Sequence, residues 1–178
     1  MKLTRLALLT LLSCGVMASA QTVQFGAHGG VNQPIGDLNR EVDGRLGFTL
    51  GGHVAFYYGD GHELRPYVDV TLYNGGWHPV NTTFSKSNVT AISGGADYLY
   101  YLENRPQGLY LTMGLGLQNW TVSPENAPNR TKTSLGIAAG AGYRMTRNLS
   151  AEGRFLLGQF QSNGGQAVAL QGMVSYRF

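Results

Sequence analysis

The chain has 178 residues and a formal net charge of +3; 13% of the residues are charged, 43% are hydrophobic and 26 are glycine. Soluble domains carry roughly a quarter of their residues as charges, yet the mean hydropathy here is only −0.12. Past residue 20 no run of 18 apolar residues occurs, which excludes a helical membrane protein and leaves apolar residues dispersed by alternation, the pattern of β-strands.

The first segment is an export signal in composition. Lys2 and Arg5 precede the apolar stretch LALLTLLSCGVM, which ends in Ala18-Ser19-Ala20. A basic start, an apolar stretch too short to span a bilayer and a small-x-small end describe a secretory signal peptide over residues 1–20, leaving 21–178 as one domain. The single cysteine, Cys14, falls inside it. A lipid-anchored Cys14 is the competing reading, opposed by Leu12 two places before it and by the cleaner cleavage site at Ala20. Cleavage there leaves no thiol, so neither disulfides nor cysteine chemistry are expected. Removing Lys2 and Arg5 takes thirteen basic residues to eleven against ten acids, a net of +1 that gives nucleic-acid binding no support.

Eight alternating runs follow in chain order, with no segment of helical period between them. Val23, Phe25, Ala27 and Val31 oppose Gln24, His28 and Asn32. Leu46, Phe48, Leu50, Val54 and Phe56 oppose Arg45, Thr49, His53 and Tyr57. Val68, Val70 and Leu72 oppose Tyr67, Asp69, Thr71 and Tyr73. Ile92, Ala96, Tyr98, Tyr100 and Leu102 oppose Ser93, Gly95 and Asp97. In the second half, the odd residues Leu109 to Leu117 oppose Tyr110, Thr112 and Gln118, and those from Leu135 to Tyr143 oppose Lys132, Ser134 and Arg144. Ala151, Phe155 and Leu157 oppose Ser150, Glu152 and Arg154; Val168, Leu170, Val174, Tyr176 and Phe178 oppose Gln171, Ser175 and Arg177. An even number of strands returns the chain to its starting side and lets the last strand pair with the first.

The connections alternate in length. Gly59-Asp60-Gly61, Glu103 to Pro106 and Thr146 to Asn148 are tight turns, whereas Pro34 to Gly44, Trp77 to Ser87, Val122 to Arg130 and Ser162 to Gly165 are longer or lie on the opposite side. Short turns on one rim and long loops on the other are the habit of transmembrane barrels.

Alternation alone does not separate a soluble barrel from a membrane one; the polarity of the faces does. A soluble lipocalin-like barrel binding an apolar ligand would place its charges outside and its aliphatics within. Here one face is aliphatic and aromatic with almost no charge, while the other is rich in glycine and poor in large aliphatics. Each run is long enough to cross a bilayer tilted, and an open sheet would leave unpaired backbone in hydrocarbon, so closure is obligatory. The expected fold is all-β: an eight-stranded antiparallel up-and-down transmembrane β-barrel with a filled polar interior.

The opening VQFGAHGGVNQPIGDL, the runs AISGGADYLYYL and SLGIAAGAGYRM and the terminal VSYRF resemble the small eight-stranded outer-membrane barrels of the OmpA, OmpX and opacity-protein type across residues 21–178. That resemblance implies a bacterial outer membrane, lipid as the surrounding partner, and Tyr176 and Phe178 as a C-terminal signal to the barrel-insertion machinery. It implies architecture more than activity, since such barrels serve as anchors, adhesins, surface binders and a few enzymes.

Inside, Arg45, Asp69, Asp97, Arg144, Glu152, Arg154 and Arg177 are expected to form an ion-pair network, because unpaired buried charge is expensive and an eight-stranded barrel is just wide enough for its own side chains. No open pore is expected, with a gated conduit as the alternative. His28 and His53, with Asp69, raise the possibility of a metal; the bland reading is two hydrogen-bonded interior histidines. Gln161-Ser162-Asn163-Gly164 faintly resembles the His-x-Ser-Asn stretch of the lipid A deacylase barrels. Phe160 stands where the base belongs and no histidine follows His78, so Ser162 has no activating group. Trp77, His78, Phe84, Lys86, Trp120 and Tyr57-Tyr58 are expected in loops or near rims, as an interfacial girdle. The expectation is therefore a monomeric, non-enzymatic structural or surface-interacting barrel with no catalytic residues, no cofactor and no metal, whose surface ligand the sequence does not name.

Overall fold

In the computed structural model, which describes residues 20–73, 87–124, 128–160 and 164–178, eight strands close into a single barrel in which each strand pairs with its sequence neighbours and the last pairs with the first. In order they are β1 (Thr22–Ile35), β2 (Gly47–Gly59), β3 (His62–Tyr73), β4 (Ser87–Tyr101), β5 (Gly108–Pro124), β6 (Arg130–Arg144), β7 (Leu149–Gln159) and β8 (Gln166–Arg177). All pairings are antiparallel, and the closing one runs from Gly26 opposite Arg177 to Ile35 opposite Val168. A closed ladder satisfies every strand's backbone without an edge, which is what a sheet in hydrocarbon requires.

The face assignment read from alternation holds. Leu50 is 72% exposed, Leu117 62% and Phe178 73%, whereas the buried set is polar and charged: Arg65, Asp69, Asp97, Arg144, Glu152, Arg154 and Arg177. Among the described residues no Asp, Glu, Lys or Arg occupies an outward position on any strand. Exposed Tyr98, Tyr143, Tyr176 and Phe178 gather toward the rim with the short turns, as an aromatic belt at a lipid–water boundary does. Phe56, outward by alternation, is instead buried, beside a register irregularity between Tyr57 and Gly59.

Inward glycines make the room that the charges occupy. A Cβ at Gly51 would collide with the carboxylate of Asp69 and the ring of His28, one at Gly114 with Asp97, and one at Gly142 with Tyr110. On the lipid face the reason is different, since a Cβ at Gly153 or Gly172 would meet nothing.

One element departs from the strand-only expectation. A six-residue helix, α1 (Gly36–Glu41), interrupts the first long connection and packs against β8 and β1. Six residues are too few for a 3.6-residue period to declare itself. Leu38 and Val42 are fully buried in an apolar cluster with Tyr73, Val89, Trp120 and Phe160. Asp37 fixes the helix by accepting a hydrogen bond from the Gln166 backbone N–H at 3.1 Å. The long-loop mouth of the barrel is thus closed by a hydrophobic lid.

Candidate functional site

The lumen is filled in layers. Beneath the apolar lid lies a neutral layer, in which Asn32 donates to Thr49 Oγ1 (2.6 Å), Thr49 and Thr71 share a hydrogen bond (2.7 Å) and Gln171 donates to Thr49 (3.1 Å). Trp120, expected at the rim, points inward and donates to Gln118 at 3.1 Å; its position shares the inward parity of Gln118, so the ring fills the barrel and not the interface.

The middle layer holds the charges. Arg65 donates to Asp97 Oδ2 at 2.8 Å and to Glu152 Oε2 at 2.8 Å. Arg154 donates to the same Asp97 oxygen at 3.1 Å and to Gln171 at 2.5 Å, its Nη2 lies 3.6 Å from Asp69, and its guanidinium sits 5.6 Å over the Tyr67 ring. Tyr110 donates its hydroxyl to Glu152 at 3.0 Å. Each buried charge sits among opposite charges and hydrogen-bond donors, the only arrangement that offsets the cost of removing it from water.

A third layer lies toward the short turns. Arg177 grips Glu63 with two parallel bonds of 2.7 and 2.8 Å, and Tyr101 donates to Glu63 at 3.1 Å. Arg144 donates to the Pro106 carbonyl at 2.9 Å, lies 5.3 Å over the Tyr101 ring and approaches Glu63 at 3.6 Å.

Six of the seven residues expected in this network are in it: Asp69, Asp97, Arg144, Glu152, Arg154 and Arg177. Arg45 is not. It is exposed and precedes β2, because Asp43 (φ 57°) and Gly44 (φ 71°) turn the chain after α1 and the wall begins only at Gly47. Glu63 and Arg65, both buried, went unread, although they continue the polar face of Tyr67, Asp69 and Thr71 backward at a spacing of two. Pro66 hid them: it interrupts an apparent strand, and in the structure it falls in the gap of the β2–β3 ladder between the pairs His53–Tyr67 and Phe56–Leu64. With the exchange the described lumen balances, four acids (Glu63, Asp69, Asp97, Glu152) against four arginines (Arg65, Arg144, Arg154, Arg177).

His28 and His53 do come together with Asp69, but as a chain and not as converging ligands. The two Nδ1 atoms are 3.1 Å apart, the rings stack at 5.4 Å, and the other nitrogen of His28 bonds Asp69 at 2.5 Å. Among the described residues no group of three His, Cys, Asp or Glu side chains is arranged to hold a metal ion. Within the middle of the lumen a cavity of about 30 Å³ lies beside Asp69, Arg154 and Gln171, room for about two waters. Phe160 is buried in the lid, 6.3 Å from Trp120, while Ser162, Trp77, His78, Phe84, Lys86 and Cys14 lie outside the described residues.

A closed eight-stranded barrel that is apolar outside and ionic within is an integral outer-membrane protein of a bacterium. The chain belongs to the outer membrane protein beta-barrel domain family, whose pattern matches residues 6–178. Among solved structures it is similar to Neisserial surface protein A (17% identity, TM-score 0.59, 88% of this chain and 97% of that one). It is similar also to Ail, the attachment invasion locus protein of Yersinia pestis, solved with the heparin analogue sucrose octasulfate (13% identity, TM-score 0.56, 88% and 97%). A third is the N-terminal barrel domain of Pseudomonas aeruginosa OprF (21% identity, TM-score 0.53, 89% and 99%). At these identities the likeness is one of fold. No curated protein sequence matches the chain.

Proposed function

We propose that this protein is a non-enzymatic outer-membrane anchor that conducts nothing through its lumen and acts at the cell surface, in attachment or in the cohesion of the envelope. The observation that carries the reading is a polar projection of the wall beyond the lipid band. On β5 the outward residues are apolar from Leu109 to Leu117 and then become Asn119, Thr121 and Ser123; beside them stand Thr131 and Thr133 of β6 and Asn88 and Thr90 of β4. Asn119 donates to Thr133 across the pair at 2.8 Å. At about 3.3 Å per residue, the stretch from Asn119 to Pro124 raises a polar three-stranded ledge roughly 15–20 Å above the last apolar residue. Trp120 and Val122 pack behind it in the lid, so the ledge is held rigid from within.

Rigid and wetted, with the exposed Arg130 at its tip, such a ledge suits surface contact better than catalysis, and the filled lumen below it supports an anchor over a channel. The adhesion-related name of Ail accords with the reading but does not transfer a ligand. The test shortens the β5–β6 hairpin by removing Thr121 to Thr131. Attachment of expressing cells to host-cell or matrix surfaces should fall to background while the barrel still shifts on heating in gels, and planar bilayers holding the intact protein should show no single-channel steps. Unchanged attachment, or discrete conductance, would overturn it.

A further inference from the structure

The opposite end of the barrel is open and carries charge that its own groups do not neutralise. We infer that this mouth, on the side of the short turns, is a binding site for a phosphate-type oxoanion borne by a small molecule in the periplasmic solution. A chamber of about 400 Å³ opens there, lined by Gln24, Glu63, Arg144, Arg147 and Arg177 and by the Arg105-Pro106-Gln107 turn. That volume is within the range of small-molecule pockets.

The lining is built, not incidental. Arg144 is only 3% exposed, yet its Nε and Nη2 have no hydrogen-bond partner, because Nη1 is committed to the Pro106 carbonyl and the plane is fixed against Tyr101. Arg177 Nε is likewise buried and unpartnered. Glu63 answers them only in part: its two oxygens already accept Arg177 and Tyr101, and Arg144 Nη2 reaches it at an ion-pair distance of 3.6 Å without a hydrogen bond. Arg105 pairs with Glu103 at the edge. Three guanidiniums, those of Arg144, Arg147 and Arg177, therefore face one carboxylate. A buried arginine with two donors free and its plane preset is the group that binds an oxoanion by a fork of parallel bonds at least loss of freedom. Lipid headgroups ring the outer wall, whereas Gln24, Glu63, Arg144 and Arg177 project from the inner face of their strands, so the anion enters from solution.

The protein purified in dodecyl maltoside, labelled at arginine Nε, is titrated with inorganic phosphate at constant ionic strength, with chloride as the control. The Nε–H signals of Arg144 and Arg177 should move along a saturating curve that chloride does not reproduce. Because Arg144→Gln disturbs the Glu63 layer, the exposed Arg147→Gln is the second variant, and it should weaken phosphate binding several-fold in a barrel that still shifts on heating. Shifts linear in phosphate, equal shifts with chloride, or undiminished binding in Arg147→Gln would overturn the site. Saturation of the same signals by phosphatidylglycerol nanodiscs without added phosphate would overturn its assignment to a solution anion.

Discussion

Arg65 on β3 and Glu152 on β7 are separated by 87 residues and stand four strands apart in a ring of eight, so their 2.8 Å contact crosses the axis of the barrel. Arg154 on β7 approaches Asp69 on β3 along the same diameter at 3.6 Å. Two ion pairs spanning the full width obstruct the lumen at this level, and they tie opposite walls that backbone pairing connects only the long way round.

Removing Arg65 should therefore be among the most damaging single changes in the lumen. Arg65→Met takes from Glu152 and Asp97 the cation that bonds both at 2.8 Å and leaves them to Arg154 alone, at 3.7 and 3.1 Å; breaking a buried pair in this way costs about 3–5 kcal/mol. The urea midpoint of the barrel in vesicles should fall accordingly. Adding Glu152→Gln should restore part of the loss, because Asp97 keeps Arg154 at 3.1 Å; a double variant no better than the single one would mean that the charge balance of this layer is immaterial.

Glycines on the two faces should respond oppositely to the same methyl group. Gly51→Ala drives a Cβ into Asp69 and His28, displacing the His28–Asp69 bond, and should lower stability by about 1–3 kcal/mol, as overpacking does. Gly172→Ala adds a methyl to open lipid-facing space and should be neutral or mildly stabilising. Thermal gel-shift midpoints of the two variants, measured side by side, decide the matter.

These contrasts mark what the sequence exposes and what it conceals. Period-two alternation reveals the lipid face because hydrocarbon admits almost no exceptions, and six of the lumen's charged groups followed from it. It failed where the backbone left the pattern: at Pro66, which masked Glu63 and Arg65, and at the Asp43-Gly44 turn, which released Arg45 from the wall. Nor could it reveal α1, whose lid depends on two residues, Leu38 and Val42, meeting Trp120 and Phe160 from distant strands. The meeting of His28 with His53 was nearly legible. His28 pairs with Gly51 and Gly26 with His53, so the two rings are diagonal neighbours and not directly opposite.

Depth in the bilayer should govern the damage done by a charge on the outer face. Leu115, 57% exposed in the middle of β5, should lose roughly 2–4 kcal/mol of folding free energy as Leu115→Arg. Leu102, exposed just beyond the end of β4, should lose only about 0–1 kcal/mol as Leu102→Arg, since its guanidinium reaches water at the rim. Refolding yields into vesicles should rank wild type, Leu102→Arg, Leu115→Arg in descending order, and equal yields for the two variants would contradict the placement of the lipid band.

Phe178, just past β8, should matter more for arrival than for stability. Phe178 donates one backbone hydrogen bond, to Phe25 at 2.9 Å, and its largely exposed ring stands edge-to-face with Tyr176, centroids 5.7 Å apart. Little native packing is lost by deleting it, so the purified, refolded barrel should be destabilised by no more than about 1 kcal/mol. We propose instead that this aromatic, exposed on the lipid face just past the closing strand, is read during insertion before β8 pairs with β1. Deleting Phe178 should thus sharply reduce the amount of heat-modifiable protein in the outer membrane while leaving the urea midpoint of the refolded protein nearly unchanged. Parallel loss of both would assign the residue to stability alone.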